Sequence, residues 1–145
     1  MAILRTDLQS KIDQLINLGN EEWDTNRDAY YKYLFEAWNL YPKPQNQWNE
    51  AYSLAKEIFD AFLIDGNIID AKKWLNEMID NNNNLHLMDF DLSFNIGKFH
   101  FENNDYEKAI DEWQNLVSQT KFRYFEDEDK EYLEFYKNPD KYIKK

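Results

Sequence analysis

The chain has 145 residues and a formal net charge of −11, and 43% of its residues are hydrophobic. This length fits a single domain, and the apolar content excludes a disordered chain. The acidity excludes nucleic acid and anionic membranes as direct partners, because both repel a negative surface, and it favours a basic protein partner. Solubility alone would also explain the charge.

Three glycines and three prolines are too few for the many turns of a β-sandwich, which favours helices. The chain has no cysteine, so disulfides, thiolate metal sites and cysteine nucleophiles are excluded. The segment MAILRTDLQSKIDQL at the start lacks the apolar core of a signal peptide. No run of about 20 apolar residues follows it. We therefore predict a cytoplasmic protein without a membrane partner.

Apolar residues at helical spacing predict seven helices along the chain. The first follows the stripe from Leu4 to Trp23, and the second covers about 27–40, because Pro42 and Pro44 cannot continue it. Asparagines at 81–84 predict a loop, since their side chains compete with helical backbone bonds. The other predicted helices run from about Asn46 to a turn at Gly66, from there to the asparagine loop, and over about 89–103, 105–120 and 128–137.

The stretch from Phe94 to Leu116, FNIGKFHFENNDYEKAIDEWQNL, carries the most informative pattern. Gly97 is a small residue that lets a neighbouring helix come close. Ala109, Trp113 and Leu116 then share one face of the following helix, since residues three and four apart are neighbours. This spacing resembles the tetratricopeptide repeat, a helix–turn–helix unit of about 34 residues that stacks on copies of itself.

The same pattern recurs twice upstream. Residues 62–78 match 100–116 at one offset, and residues 30–42 keep the spacing of the second helix. The resemblance implies an all-α fold, a right-handed α-solenoid with a C-terminal capping helix. It forms a single domain over 1–145, with three repeats at about 3–42, 46–83 and 89–121 and the capping helix at about 128–137.

Three short motifs resemble a narrower group of small bacterial tetratricopeptide-repeat proteins. They are LYPKP from Leu40 to Pro44, Trp48 soon after it, and FEDED from Phe125 to Asp129 before an aromatic helix. Some members of that group are encoded beside polymorphic toxins. The resemblance therefore implies an immunity protein that binds and neutralises a basic toxin domain. The alternative is a general adaptor or a structural subunit of a larger assembly.

We tested the sequence for catalytic and metal sites and predict none. His86 and His100 are the two histidines, and they lack a metal-binding helical spacing. Asp89 and Asp91 begin like a calcium loop, but Phe94 stands where the glycine is needed. With no convergent acid–base set, we predict a protein that is not an enzyme and uses no cofactor.

Two surfaces are candidates for partner binding, and the sequence does not choose between them. In the tetratricopeptide family the first helix of each repeat lines a concave face, and the acidic run before the last helix could steer a basic partner. Trp48, beside the proline-rich turn, is a third contact candidate. A solvated acidic edge and a packed aromatic core are the structural alternatives. We expect a monomer or weak dimer. The concave-face candidates are Glu22, Trp23, Lys56, Asp60, Asp91, Phe94 and Lys98, and the acidic run is Glu126, Asp127, Glu128 and Asp129.

Overall fold

A computed structural model describes residues 4–143 of this protein. Over this range the fold is all-helical, which confirms the all-α part of the predicted fold class. The predicted start of the first repeat at residue 3 and both ends of the domain predicted over 1–145 lie outside the described residues. The helices are α1 (Thr6–Glu22), α2 (Arg27–Leu40), α3 (Asn49–Ile64), α4 (Ile68–Leu85), α5 (Asp89–Glu102), α6 (Tyr106–Thr120) and α7 (Lys130–Lys137).

Helices that follow one another pack as pairs, α1 with α2, α3 with α4 and α5 with α6. The pairs are joined because α2 also packs on α3, and α4 on α5. The buried apolar side chains form two clusters. The larger is centred on α3 and extends from Ile12 to Phe99, and the smaller gathers around Trp113 and Phe135 in α5, α6 and α7. Through the smaller cluster, α7 packs against the last helix pair, α5 and α6.

Gly97 and Trp113 show why a small residue is needed in α5. A Cβ atom added at Gly97 would lie 2.6 Å from Cδ1 and from Cε2 of the Trp113 indole. The indole N–H donates to the Phe94 carbonyl oxygen at 3.0 Å, so the ring cannot move away without losing this bond. The close approach predicted at Gly97 is confirmed.

The turns α3–α4 and α5–α6 have the same backbone geometry. Gly66 and Asn104 both have a positive φ, of 74° and 65°. The residue after each donates its backbone N–H at 2.8 Å to a carbonyl five positions earlier, from Asn67 to Phe62 and from Asp105 to His100. The offset that aligned residues 62–78 with 100–116 in the sequence therefore also aligns the C-terminal ends of α3 and α5.

The asparagine loop predicted at 81–84 is wrong, because α4 continues to Leu85. Tertiary contacts occupy the side chains that would compete with the helix. The buried Asn81 amide donates to the Trp48 carbonyl at 2.8 Å. Asn82 accepts from the Met88 N–H at 2.8 Å and donates to Asp89 at 2.7 Å. These bonds fix the connection from α4 into α5.

We expect Asn82→Ala to lower the free energy of unfolding by about 1–3 kcal/mol, because it leaves the Met88 N–H without its acceptor. Chemical denaturation of the purified variant measures this change. Asn83→Ala is the matched control, since Asn83 belongs to the same run but is exposed. Equal effects of the two substitutions would contradict the role given to Asn82.

The third helix begins three residues later than the predicted Asn46, at Asn49. A short 3₁₀ turn occupies Gln45–Gln47, and Trp48 has an extended backbone that separates this turn from α3. The Trp48 indole N–H donates to the Pro42 carbonyl at 2.7 Å. This bond closes the proline-rich segment over the start of α3.

Candidate partner-binding face

A row of ion pairs crosses α3, α5 and the segment before α7. Lys56 contacts Asp91 at 2.8 Å, and the Tyr52 hydroxyl donates to the same carboxylate at 2.5 Å. These contacts join α3 to α5. Two of the predicted binding residues therefore neutralise each other within the protein.

Lys98 forms the second part of this row. Its ammonium lies 2.8 Å from Asp60 and 2.9 Å from Glu128. Burial alone lowers the pKa of Lys98, but the two carboxylates outweigh it and the pKa is raised. Burial raises the pKa of Asp60 despite the Lys98 ammonium, and the nearby Glu128 acts in the same direction. Two carboxylates around one ammonium leave this group with a net negative charge.

An open groove lies beside the row, between the end of α1, the start of α2 and the second half of α3. Its volume is about 440 Å³. Its aromatic wall is formed by Trp23 and Tyr30, whose ring centroids are 4.7 Å apart. Neither Lys nor Arg contributes to the lining, although two carboxylates do. The groove is lined by Asn20, Trp23, Tyr30, Glu57, Asp60, Ala61 and Ile64.

Glu57 is the carboxylate of this groove that pairs with no cation among residues 4–143. Burial raises its pKa, and the neighbouring Asp60 raises it further. Within residues 4–143, no side chain donates a hydrogen bond to Glu57. Burial likewise raises the pKa of the Tyr30 hydroxyl, with a contribution from Glu57. Burial in the groove therefore disfavours the negative charge of Glu57, although the fold places this carboxylate there.

Glu57→Gln should stabilise the protein at pH 7, because the folded-state pKa of Glu57 lies above its ordinary value of 4.5. The folded protein then binds more protons than the unfolded chain in the window above pH 4.5, so wild-type stability falls as pH rises through it. The stability of Glu57→Gln does not fall in this way, so its excess over wild-type stability should disappear at about pH 4. Thermal unfolding between pH 4 and 7 measures the difference, with the exposed Glu126→Gln as control. A pH-independent difference would contradict this explanation.

Arg27 lies against Trp23, a groove residue, and is held by Asp65 and by the Trp23 carbonyl. Its guanidinium carbon lies 3.3 Å from the centroid of the Trp23 ring. Its Nε donates to both carboxylate oxygens of Asp65 at 3.1 Å, and an NH1 hydrogen bond reaches the Trp23 carbonyl. The Tyr31 hydroxyl donates to Asp65 at 2.6 Å. Trp23, predicted as a binding residue, thus already holds a guanidinium on its ring, while Glu22 lies outside the groove lining.

Two other predicted binding residues are buried. Trp48 is 8% exposed and packs in the larger apolar cluster. Phe94 is 3% exposed and stacks on Trp113 with ring centroids 5.5 Å apart. Both side chains stabilise the fold and present little surface to a partner in this structure.

The acidic run before α7 divides into two parts. Glu128 contacts Lys98, and the Asp129 side chain accepts from the Glu131 N–H at 3.0 Å, which caps α7. Glu126 and Asp127 are exposed. Half of this run therefore stabilises the C-terminal helix, and the other half leaves free negative charge at its edge.

The histidines and the calcium-like segment show no ligand geometry. Asp89 and Asp91 lie in the first turn of α5, where the helix dipole stabilises negatively charged side chains. His100 is half-buried, and burial lowers its pKa. Across residues 4–143, no three side chains of His, Asp or Glu are grouped as metal ligands. The part of the chain described by the structure also has no helix with both the length and the apolarity needed to cross a bilayer.

The sequence analysis missed Glu57 and Tyr30 as groove residues. Glu57, Asp60 and Ile64 are three and then four positions apart, which places them on one face of α3. Glu57 is an acid at the edge of the apolar face of α3, and this was the signal available in the sequence.

Comparisons with protein-family models, with curated proteins and with solved structures gave no match. The structure thus defines a class, an all-helical protein of packed helix pairs. Any further assignment depends on the residues described above.

Proposed function

We propose that this protein is a non-enzymatic protein-binding module, and specifically an immunity protein that captures and neutralises a basic toxin domain. The observation that carries the proposal is the groove lined by Trp23, Tyr30, Glu57 and Asp60. It combines aromatic surface with carboxylates and has no basic residue in its lining. Such a surface complements a basic protein in both charge and apolar area.

The distribution of charge supports the same proposal. Lys56 and Arg27 pair with acids outside the groove lining, and Lys98 pairs with Asp60 but not with Glu57. With a formal charge of −11, the protein attracts a basic partner over a distance and increases its association rate. The groove then supplies short-range contacts.

We also propose that the helix pairs are three tetratricopeptide-like repeats in a right-handed solenoid, capped by α7. Support comes from the equivalent turns at Gly66 and Asn104 and from the close contact of Gly97 with Trp113. In this arrangement α1, α3 and α5 line one face, which contains the groove and the ion-pair row.

The alternative proposal is an adaptor or a structural subunit of a larger assembly. An exposed apolar patch on α7 would favour it. The apolar side chains of α7 instead pack into the smaller cluster, with Tyr132 and Phe135 buried and Leu133 and Tyr136 partly buried. The groove is therefore the better-supported contact surface.

Co-expression tests the immunity proposal. The gene beside that of this protein should encode a basic domain that stops growth when expressed alone. Growth should return when this protein is co-expressed, and the two proteins should elute together in size-exclusion chromatography at low salt. A neighbouring product that is harmless, or a toxic one that this protein neither binds nor neutralises, would contradict the proposal.

A further inference from the structure

We propose that the groove beside α3 is a receptor for a single arginine side chain of the partner, with Glu57 and Asp60 binding the guanidinium and the Trp23 ring contacting its stem. The inference rests on the proposed function and adds the chemical group that the partner must present. It concerns carboxylate oxygens that the internal ion pairs leave available.

The two carboxylates are placed to share one planar cation. Glu57 and Asp60 are one turn apart on α3 and both line the groove. The Lys98 ammonium bonds to Oδ1 of Asp60, and no side chain in the described range donates to Oδ2. Glu57 and Oδ2 of Asp60 therefore remain as acceptors. A guanidinium has five N–H donors in a fixed plane and can bond to two carboxylates at once, whereas an ammonium is a point charge.

The walls of the groove suit the arginine stem. Ile64 is 68% exposed at the rim, and Ala61 lies one turn before it on α3. Trp23 provides the aromatic surface, and its ring packs against Tyr30, which is itself only 3% exposed. Arginine buries its methylene groups on apolar surface while its charged end bonds to acids. The exposed Ile64 suits the methylene groups of an arginine, and the two carboxylates suit its guanidinium.

The protein's own Arg27 uses the same chemistry next to the groove. Its guanidinium lies on the Trp23 ring and bonds to Asp65. An aromatic ring and a carboxylate thus already bind one arginine at this end of α1. Since Asp65 is occupied by Arg27 and Tyr31, the incoming side chain must use Glu57 and Asp60.

Glu57 gives independent support, because its buried charge lowers the stability of the folded protein. A half-buried carboxylate without a cation destabilises the folded protein, and a bound guanidinium would remove that cost. Residues that reduce stability without an internal role are typical of binding sites.

NMR titration of the full chain with N-acetyl-arginine amide tests the inference. The indole N–H signal of Trp23, assigned with Trp23→Phe, should shift saturably with a Kd on the order of millimolar. N-acetyl-citrulline amide has the same shape without the charge and should cause no saturable shift. N-acetyl-lysine amide should bind more weakly than the arginine compound.

Glu57→Gln should weaken arginine amide binding about tenfold, since it removes one charge-assisted acceptor. Glu77→Gln is the matched control, because it makes the same change at a half-buried acid of α4 outside the groove, and it should leave binding unchanged. Binding that is equal for arginine and citrulline, equal for arginine and lysine, or unaffected by Glu57→Gln would overturn the inference.

The two proposals fail in different ways. A toxin domain that binds wild type and Glu57→Gln equally would overturn the arginine receptor and leave the immunity proposal intact. Saturable arginine binding that Glu57→Gln weakens supports the receptor even if co-expression gives no protection.

Discussion

Trp113→Ala should lower the free energy of unfolding by about 3–5 kcal/mol, the typical cost of deleting a fully buried tryptophan. Trp113 is completely buried and lies between Gly97, Phe94 and Phe125. The substitution leaves a cavity and removes the hydrogen bond from the indole N–H to the Phe94 carbonyl. Since small domains are stable by only about 5–15 kcal/mol, much of the total stability would go.

Denaturation by urea, followed by circular dichroism at 222 nm, measures this loss. Gln114→Ala is the control, because Gln114 is the next residue on α6 and is exposed. It should change stability by less than about 0.5 kcal/mol. A Trp113→Ala protein as stable as this control would mean that α5 and α6 are not held together by the indole.

Lys98→Met should destabilise the protein by about 2–4 kcal/mol, because it leaves Asp60 and Glu128 close together without their shared cation. The two carboxylates are about a third exposed, so water reduces the penalty below that of a fully buried pair. Methionine keeps most of the stem volume, and the loss is therefore electrostatic.

The pH dependence separates this effect from a packing defect. The Lys98 ammonium lowers the pKa of Asp60, so without it the raised pKa of this carboxyl rises further in the folded protein. The deficit should therefore be largest at pH 7 and shrink as the pH falls and Asp60 takes up a proton. Lys141→Met is the matched control, because Lys141 contacts Glu134 at 3.5 Å on the exposed surface. Exposed pairs contribute about 0–1 kcal/mol. A deficit of the same size at pH 4 and 7 would show that packing, not charge, causes the loss.

The helices could be predicted because their causes are local. Apolar residues at helical spacing gave seven helices, and Gly66 and Asn104 ended α3 and α5 by taking a positive φ. The close approach at Gly97 followed from the repeat spacing as well, and the structure showed that Trp113 is the side chain that occupies the space. Where a distant contact outweighed local preference, the prediction was wrong: Asn81 and Asn82 stay in α4 because their side chains bond to Trp48, Met88 and Asp89.

The sequence by itself thus determined the fold class, the positions of the helices and the acidic character of the surface. Only the tertiary structure decided which charges are free. Lys98 pairs with Asp60 and Glu128, which are 38 and 30 residues away, and it leaves Glu57 without a cation. The physical reason is that helix formation depends on neighbours within two turns, whereas ion pairing and burial depend on which helix faces meet.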